Sequence, residues 1–230
     1  MADSQPIRFP GESPQYRTAR AALLEAEREL RRRVEQVAAL RRALPIGGLL
    51  KEDYVFEETD AAGAPRSVRF SELFAPGKET LIVYSFMFGN AMKAACPSCT
   101  SILDGLDGQV PHLRQRVNVA VVAKSPIARI QALARERGWR HHRLLSSGGN
   151  TFNTDYHAER ADGTQLPALS VFARREGRIH HCYTTELLYE RPDPGQDGRH
   201  VDFIWPLWNL LDFTPDGRGG DWRPRLTYES

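Results

Sequence analysis

Residues 80–99 read TLIVYSFMFGNAMKAACPSC. The first nine, Thr80 to Phe88, are a nearly continuous apolar run rich in branched and aromatic side chains. A strand covered on both faces has this composition, so the run predicts a central parallel strand. Two cysteines three residues apart follow it, and Pro97 between them suits the first turn of a helix, where a missing N–H costs nothing. Residues Ser98 to Arg116 are compatible with that helix, and Val117 to Ala123 (VNVAVVA) reads as a second buried strand. Strand, helix, strand in this order is the unit of an α/β fold with a parallel sheet.

Cys96 is therefore expected where the helix begins. Free backbone N–H groups and the positive end of the helix dipole meet a thiolate there and lower its pKa from about 8.5. Cys99, one turn further along the same face, would lie close enough to attack a mixed disulfide formed on Cys96. Pro97 removes one amide donor, which limits the acidification, and Ser98 partly compensates. The spacing thus permits capture by Cys96 followed by resolution by Cys99. A packed structural pair of thiols is the plain alternative.

Metal binding fits less well. Zinc takes about four ligands, and there is no second Cys-x-x-Cys and no His-x-x-x-His in the chain. His180, His181 and Cys182 form the one cluster able to complete a site, but strand alternation puts His180 and Cys182 on one face and His181 on the other. Soft sulfur ligands also suit copper. His141 and His142 are expected in an exposed loop, and Cys182 as a small buried apolar side chain. No metal and no organic cofactor is expected.

Working outward, Ser13-Pro14 reads as a helix N-cap followed by proline at the first helical position. Tyr16, Leu23, Leu30, Val37 and Leu44 recur every seven residues, with Ala19, Ala26 and Leu40 between them and Arg33 breaking the seam. Two uses of this helix remain open: packing on its own domain, or pairing across a homodimer. Pro45 and Gly47-Gly48 end it. Beyond them, Tyr54–Phe56 and Ser67–Phe70 predict a hairpin around Asp60–Gly63. Pro126–Gly138 predicts a helix closed by its glycine, and Leu144-Leu145 a short strand. Ser146–Gln165 is expected to be an excursion in which Asn150–His157 borders the active cleft. Ala168–Ala173 and Arg178–Thr184 predict a second hairpin turning at Glu176-Gly177. Val201–Phe213 reads as a terminal helix with Ile204, Trp205, Trp208 and Leu211 on its apolar face, the tryptophans serving to pack. The expected divisions are a helical extension over 1–45, an α/β domain over 46–213 and an irregular tail over 214–230.

Composition narrows the function classes. With 41% apolar and 26% charged residues, the 230-residue chain matches soluble globular averages. A net charge of +2 with interspersed signs disfavours nucleic-acid binding. No leader-like start and no membrane-length apolar run is present, so a cytoplasmic location away from membranes is expected. Three cysteines in a reducing compartment do not form a disulfide scaffold, and a close pair there favours redox chemistry.

CPSC after LIVYSFMF, with LPALSVF opening the later hairpin, resembles the thioredoxin fold. More specifically, RRALP, KEDYVFE, LIVYSFMFG, CPSC, RGW, LPALSVF and LLDFTPDGRG together resemble a bacterial thioredoxin-like family, related to the peroxiredoxin (AhpC/TSA) group and catalogued as a domain of unknown function. The resemblance implies a three-layer α/β/α sandwich, matches Cys96 and Cys99 to the family's paired cysteines, and matches Pro167 to the fold's cis-proline. Pro97, Ser98, Leu166 and Pro167 are then the expected substrate contacts. Thioredoxins carry a buried carboxylate in the strand before the motif; Leu81–Phe88 has none, leaving the proton acceptor for Cys99 unidentified. Peroxiredoxins place a threonine or serine three residues before the reactive cysteine, where this chain has Lys93. The tail DWRPRLTYES departs from the basic stretch of relatives. The expected activity is thiol–disulfide exchange with an unidentified thiol reductant. The alternatives are a thiol peroxidase acting on peroxide and a non-catalytic metal- or partner-binding module.

Overall fold

The computed structural model describes residues 7–188, 190–195, 204–220 and 222–228. The chain divides into two compact units, Met1–Pro45 and Ile46–Ser230.

The first unit is built around α1, Pro14–Ala43. Its start is as the sequence requires: the Ser13 side chain accepts the backbone N–H of Tyr16, and Pro14 opens the first turn. Along its flank Arg32 bonds Glu29 at 2.8 Å and Glu25 at 3.0 Å, and Arg28 reaches Glu25 at 3.3 Å. Such exposed pairs add little stability each. None of the helix residues is buried, and the seven-residue series Tyr16, Leu23, Leu30, Val37 and Leu44 is exposed throughout.

The second unit is organised by a seven-stranded mixed sheet. Its strands are β1 Val55–Thr59, β2 Pro65–Arg69, β3 Thr80–Ser85, β4 Asn118–Ala123, β5 Leu144–Ser146, β6 Ala168–Arg175 and β7 Arg178–Thr184, in spatial order β2-β1-β5-β4-β3-β6-β7. β3, β4 and β5 run parallel, and β6 joins β3 antiparallel with Ser85 opposite Ala168. The β1–β2 turn is fixed by Asp60, whose carboxylate accepts the N–H groups of Ala62 and Ala64 at 2.9 Å each. At the β6–β7 turn Glu176 and Gly177 both adopt positive φ, 51° and 75°, the pairing that matches the twist of a tight hairpin.

Strand alternation divides the core in two. Leu81 and Val83 point to one face, where they meet Phe70, Phe152 and Phe172. Tyr84, Phe86 and Phe88 point to the other, beneath α2 (Pro97–Asp107), α4 (Ile127–Arg137) and α6 (Pro206–Leu211). The first face is covered by a 3-10 turn at Phe70–Leu73 and the four-residue α5, Phe152–Asp155.

Several sequence expectations are corrected in detail. The helix expected over Ser98–Arg116 stops at Asp107 and resumes as the single turn α3, Val110–Leu113. Pro111 has no N–H to continue the ladder, while the Asp107 carboxylate instead accepts the backbone N–H groups of Arg140, His141 and His142. His142, expected in an exposed loop, has a buried ring whose Nε2 lies 2.9 Å from the Leu103 carbonyl oxygen. Pro206 starts α6 rather than interrupting it, consistent with proline at a first helical position. Val201–Phe203 of the expected terminal helix lie outside the described residues. The tail is irregular but attached: Arg137 donates to the Leu226 carbonyl at 2.7 Å, and Trp222 packs edge-on against Trp208.

Candidate functional site

Cys96 is the N-cap of α2, with extended φ/ψ of −62° and 122°, and Pro97 follows at the first position. Its N–H returns to the Met87 carbonyl at 3.0 Å, and its own carbonyl accepts both the N–H and the hydroxyl of Thr100 at 2.9 Å. The cysteine is thus tied to the end of β3 on one side and the first helical turn on the other. Arg129 of α4 holds the connecting loop. Its guanidinium donates to the carbonyls of Gly89, Met92 and Lys93 and lies 4.3 Å over the Phe88 ring. A planar, five-donor fork suits such a task.

The two sulfurs are unequal. Cys96 is partly exposed, and its pKa is drawn down to about 6. The largest cause is a hydrogen bond from the Cys99 thiol; the N–H groups of Cys99 and Ser98 and the Ser98 hydroxyl add to it, against the opposing effect of burial. Cys99 is buried at 2% exposure. Its pKa is pushed well up by that same bond to Cys96, by burial and by the negative charge beside it. The Tyr84 hydroxyl and the Met87 N–H pull the other way. Of the two, Cys96 is the sulfur that ionises more readily.

Beside the sulfurs lies a cavity of about 220 Å³. Met87, Leu169, Ile204 and Trp205 make it apolar, while Tyr84, Pro167 and both cysteines complete its wall. Trp205 also donates to the Ser101 hydroxyl at 3.2 Å, and Trp208 beneath it is fully buried as core. Of the residues expected from sequence, Cys96, Cys99, Ser98 and Pro167 meet around this cavity, and Pro97 adjoins them in the chain. Leu166 does not: it lines a separate cavity of about 640 Å³ with His157, Arg160 and His181. The expected cis bond before Pro167 is not found, since no peptide bond among the described residues is cis. Trans is the lower-energy isomer for X-Pro, and here Leu166 N–H bonds Ala158 O at 2.8 Å.

Asn150–His157, expected at the active cleft, contributes no residue to the cavity at Cys96. Phe152 and Tyr156 instead pack on the opposite face of the sheet. His180 and His181 pair in regular register with Ala173 and Phe172, and alternation is interrupted only beyond them. A bulge sets Val171 opposite Tyr183 and Phe172 opposite His181, so Cys182 has no partner in the register. Among the described residues, no group of three or more His, Cys, Asp or Glu is placed to hold a metal ion. No described helix is long and apolar enough to cross a membrane.

Sequence reasoning missed Tyr84 and Arg129. Tyr84 was legible in principle, since its place in LIVYSF puts it in phase with Phe86 and Phe88, toward the helix that carries the cysteines. Arg129 gave no signal, because its partners are backbone carbonyls.

A parallel β3–α2–β4 crossover, an antiparallel β6–β7 hairpin on the other side of β3, and a cysteine pair at the start of α2 define a thioredoxin-like α/β protein. The chain belongs to the family described as bacterial protein of unknown function (DUF899), whose model matches residues 7–229. No curated protein matches it. Among solved structures, it is similar to the mitochondrial 2-cys peroxiredoxin from Plasmodium falciparum, with 13% identity and TM-score 0.47, covering 73% of this chain and 95% of that one. A peroxiredoxin-like protein from Aquifex aeolicus gives 13% identity and TM-score 0.44 over 62% of this chain and 75% of that one. Peroxidoxin BcpB from Mycobacterium tuberculosis gives 18% and 0.40, over 60% and 82%.

Proposed function

We propose that the protein is a thiol–disulfide oxidoreductase in which Cys96 attacks and Cys99 resolves. The observation that carries this reading is the inequality of the two sulfurs: Cys96 is partly exposed at a helix start with a lowered pKa, and Cys99 is buried beside it in the same cavity wall with a raised one. Cys96 forms a bond to one sulfur of a substrate disulfide, whose other sulfur leaves as a thiolate and takes a proton from solvent. Cys99 then gives up its proton and attacks Cys96, breaking the mixed disulfide and releasing the second substrate thiol. Two electrons have passed from the protein dithiol to the substrate, and an external thiol reductant returns them. Pro97, Ser98 and Pro167 frame the approach of the substrate, with its apolar flank in the cavity beside Cys96.

The test uses the reduced protein in a Cys182→Ser background and the chromogenic disulfide dithiobis(nitrobenzoate). The parent should release two coloured thiols per chain, and Cys99→Ser one, leaving an aromatic adduct on Cys96 visible by mass. Cys96→Ser should lose the fast reaction. Unchanged reaction of Cys96→Ser would remove the assignment. Consumption of hydrogen peroxide faster than of any disulfide would move the activity to peroxide reduction.

A further inference from the structure

We infer that Tyr84 is a catalytic residue of the resolving step, its hydroxyl stabilising the Cys99 thiolate that attacks the mixed disulfide. The inference rests on the dithiol reading and assigns a task which that reading leaves open.

Cys99 must ionise to attack, yet it sits in an apolar surround that disfavours charge. The buried residues packed with it are Phe86, Ile102, Leu103, Trp205 and Trp208 among others, and none carries a carboxylate. Among the described residues lining the cavity, the titratable side chains are Cys96, Cys99 and Tyr84, contributed by the start of α2 and by β3. Tyr84 is itself buried, at 4% exposure, and packs in the same core cluster and the same cavity wall as Cys99, where its hydroxyl favours the charged sulfur. Its position is set by the sheet: β3 pairs on both sides, Tyr84 opposite Val121 and Leu169, so the ring cannot turn to the other face.

The chemistry of the intermediate gives this contact its role. At rest, Cys99 is kept protonated first by its bond to the Cys96 thiolate, then by burial and by the negative charge on Cys96. Once Cys96 is joined to substrate it carries no charge, and the first and last of these causes vanish. Burial remains, opposed by the two donors, the Tyr84 hydroxyl and the Met87 N–H. Tyr84 is then the side chain that supports ionisation of Cys99. The Cys99 proton leaves, the Cys99–Cys96 bond forms, the Cys96–substrate bond breaks, and the departing substrate thiolate is protonated, so the step is balanced without a further reactant.

The experiment follows colour release from dithiobis(nitrobenzoate) by stopped flow between pH 5 and 10, in the Cys182→Ser background, with and without Tyr84→Phe. The first phase reports attack by Cys96 and the second reports resolution by Cys99. Tyr84→Phe should move the midpoint of the second phase up by about one unit and slow that phase about threefold at neutral pH, the roughly tenfold loss of thiolate being partly offset by its greater nucleophilicity. The first phase should change less than about twofold, a selectivity that general loosening of the core would not give. A second phase unchanged at every pH overturns the inference and leaves the dithiol reading standing. Absence of a second phase in the parent overturns the dithiol reading itself. Should Tyr84→Phe fold poorly, the Cys96→Ser protein carrying fluorotyrosine only at position 84 supplies the readout. Its fluorine resonance should shift along the titration of Cys99, and a resonance that stays still through that titration overturns the inference.

Discussion

Replacing Cys99 by alanine removes the hydrogen bond that contributes most to holding Cys96 as a thiolate. A thiol titrating at about 6 is about 90% ionised at pH 7, against about 1% for one at the ordinary value of 9. Ionisation is only half of the rate, because each thiolate loses nucleophilicity as its pKa falls, with a Brønsted slope of about 0.4–0.5. Over three units that loss is about 20-fold, so Cys96 should outpace an ordinary thiol by only about fourfold at pH 7 but about 40-fold at pH 5. If losing the Cys99 bond raises the midpoint by one unit, attack at pH 5 slows about threefold and the limiting rate at high pH rises about threefold. The two pH profiles should therefore cross between about pH 6 and 7. Stopped-flow reaction with dithiobis(nitrobenzoate), in the Cys182→Ser background, measures both profiles from the first phase alone. Parallel profiles with one shared midpoint, or a parent midpoint above about 8, would refute the electrostatic reasoning.

Two further outcomes are expected elsewhere in the molecule. Arg129→Ala leaves the carbonyls of Gly89, Met92 and Lys93 without their charged donor, and urea unfolding should show a loss of about 2–3 kcal/mol. Arg129→Lys should recover less than half of that, because a point charge cannot serve three carbonyls at once; an unchanged unfolding midpoint in Arg129→Ala would contradict the role. For α1, we propose pairing with a second copy along the Tyr16, Leu23, Leu30, Val37, Leu44 series. Sedimentation should then give twice 26.0 kDa for the parent and 26.0 kDa for Leu23→Glu/Leu30→Glu, and a parent that sediments at 26.0 kDa would contradict it.

The fold was readable where one local signal sufficed. The apolar run at Thr80–Phe88, the Ser13-Pro14 start of α1, the Gly138 stop with its left-handed φ of 73°, and the Glu176-Gly177 turn all name their elements. Failures arose where distant groups intervened. Asp107 captures three amides from the 140–142 segment, which helps end α2 early and places His142 inside. Phe152 draws its loop to the aromatic cluster of Tyr54, Phe56 and Phe70 and away from Cys96. The site divides in the same way. Cys96, Pro97, Ser98 and Cys99 are neighbours in the chain, so their spacing foretold their geometry. Arg129, Leu169 and Trp205 reach it only through the sheet register and the packing of α4 and α6, which no single stretch encodes.

The most direct test equilibrates the wild-type protein across a series of thiol–disulfide buffers, traps free thiols with an alkylating reagent, and maps every sulfur by mass. Cys96 and Cys99 should convert together as one two-electron couple, with a tenfold change in ratio for about every 30 mV, while Cys182 stays a thiol. Independent conversion of Cys96 and Cys99, or a bridge from either of them to Cys182, would contradict the account.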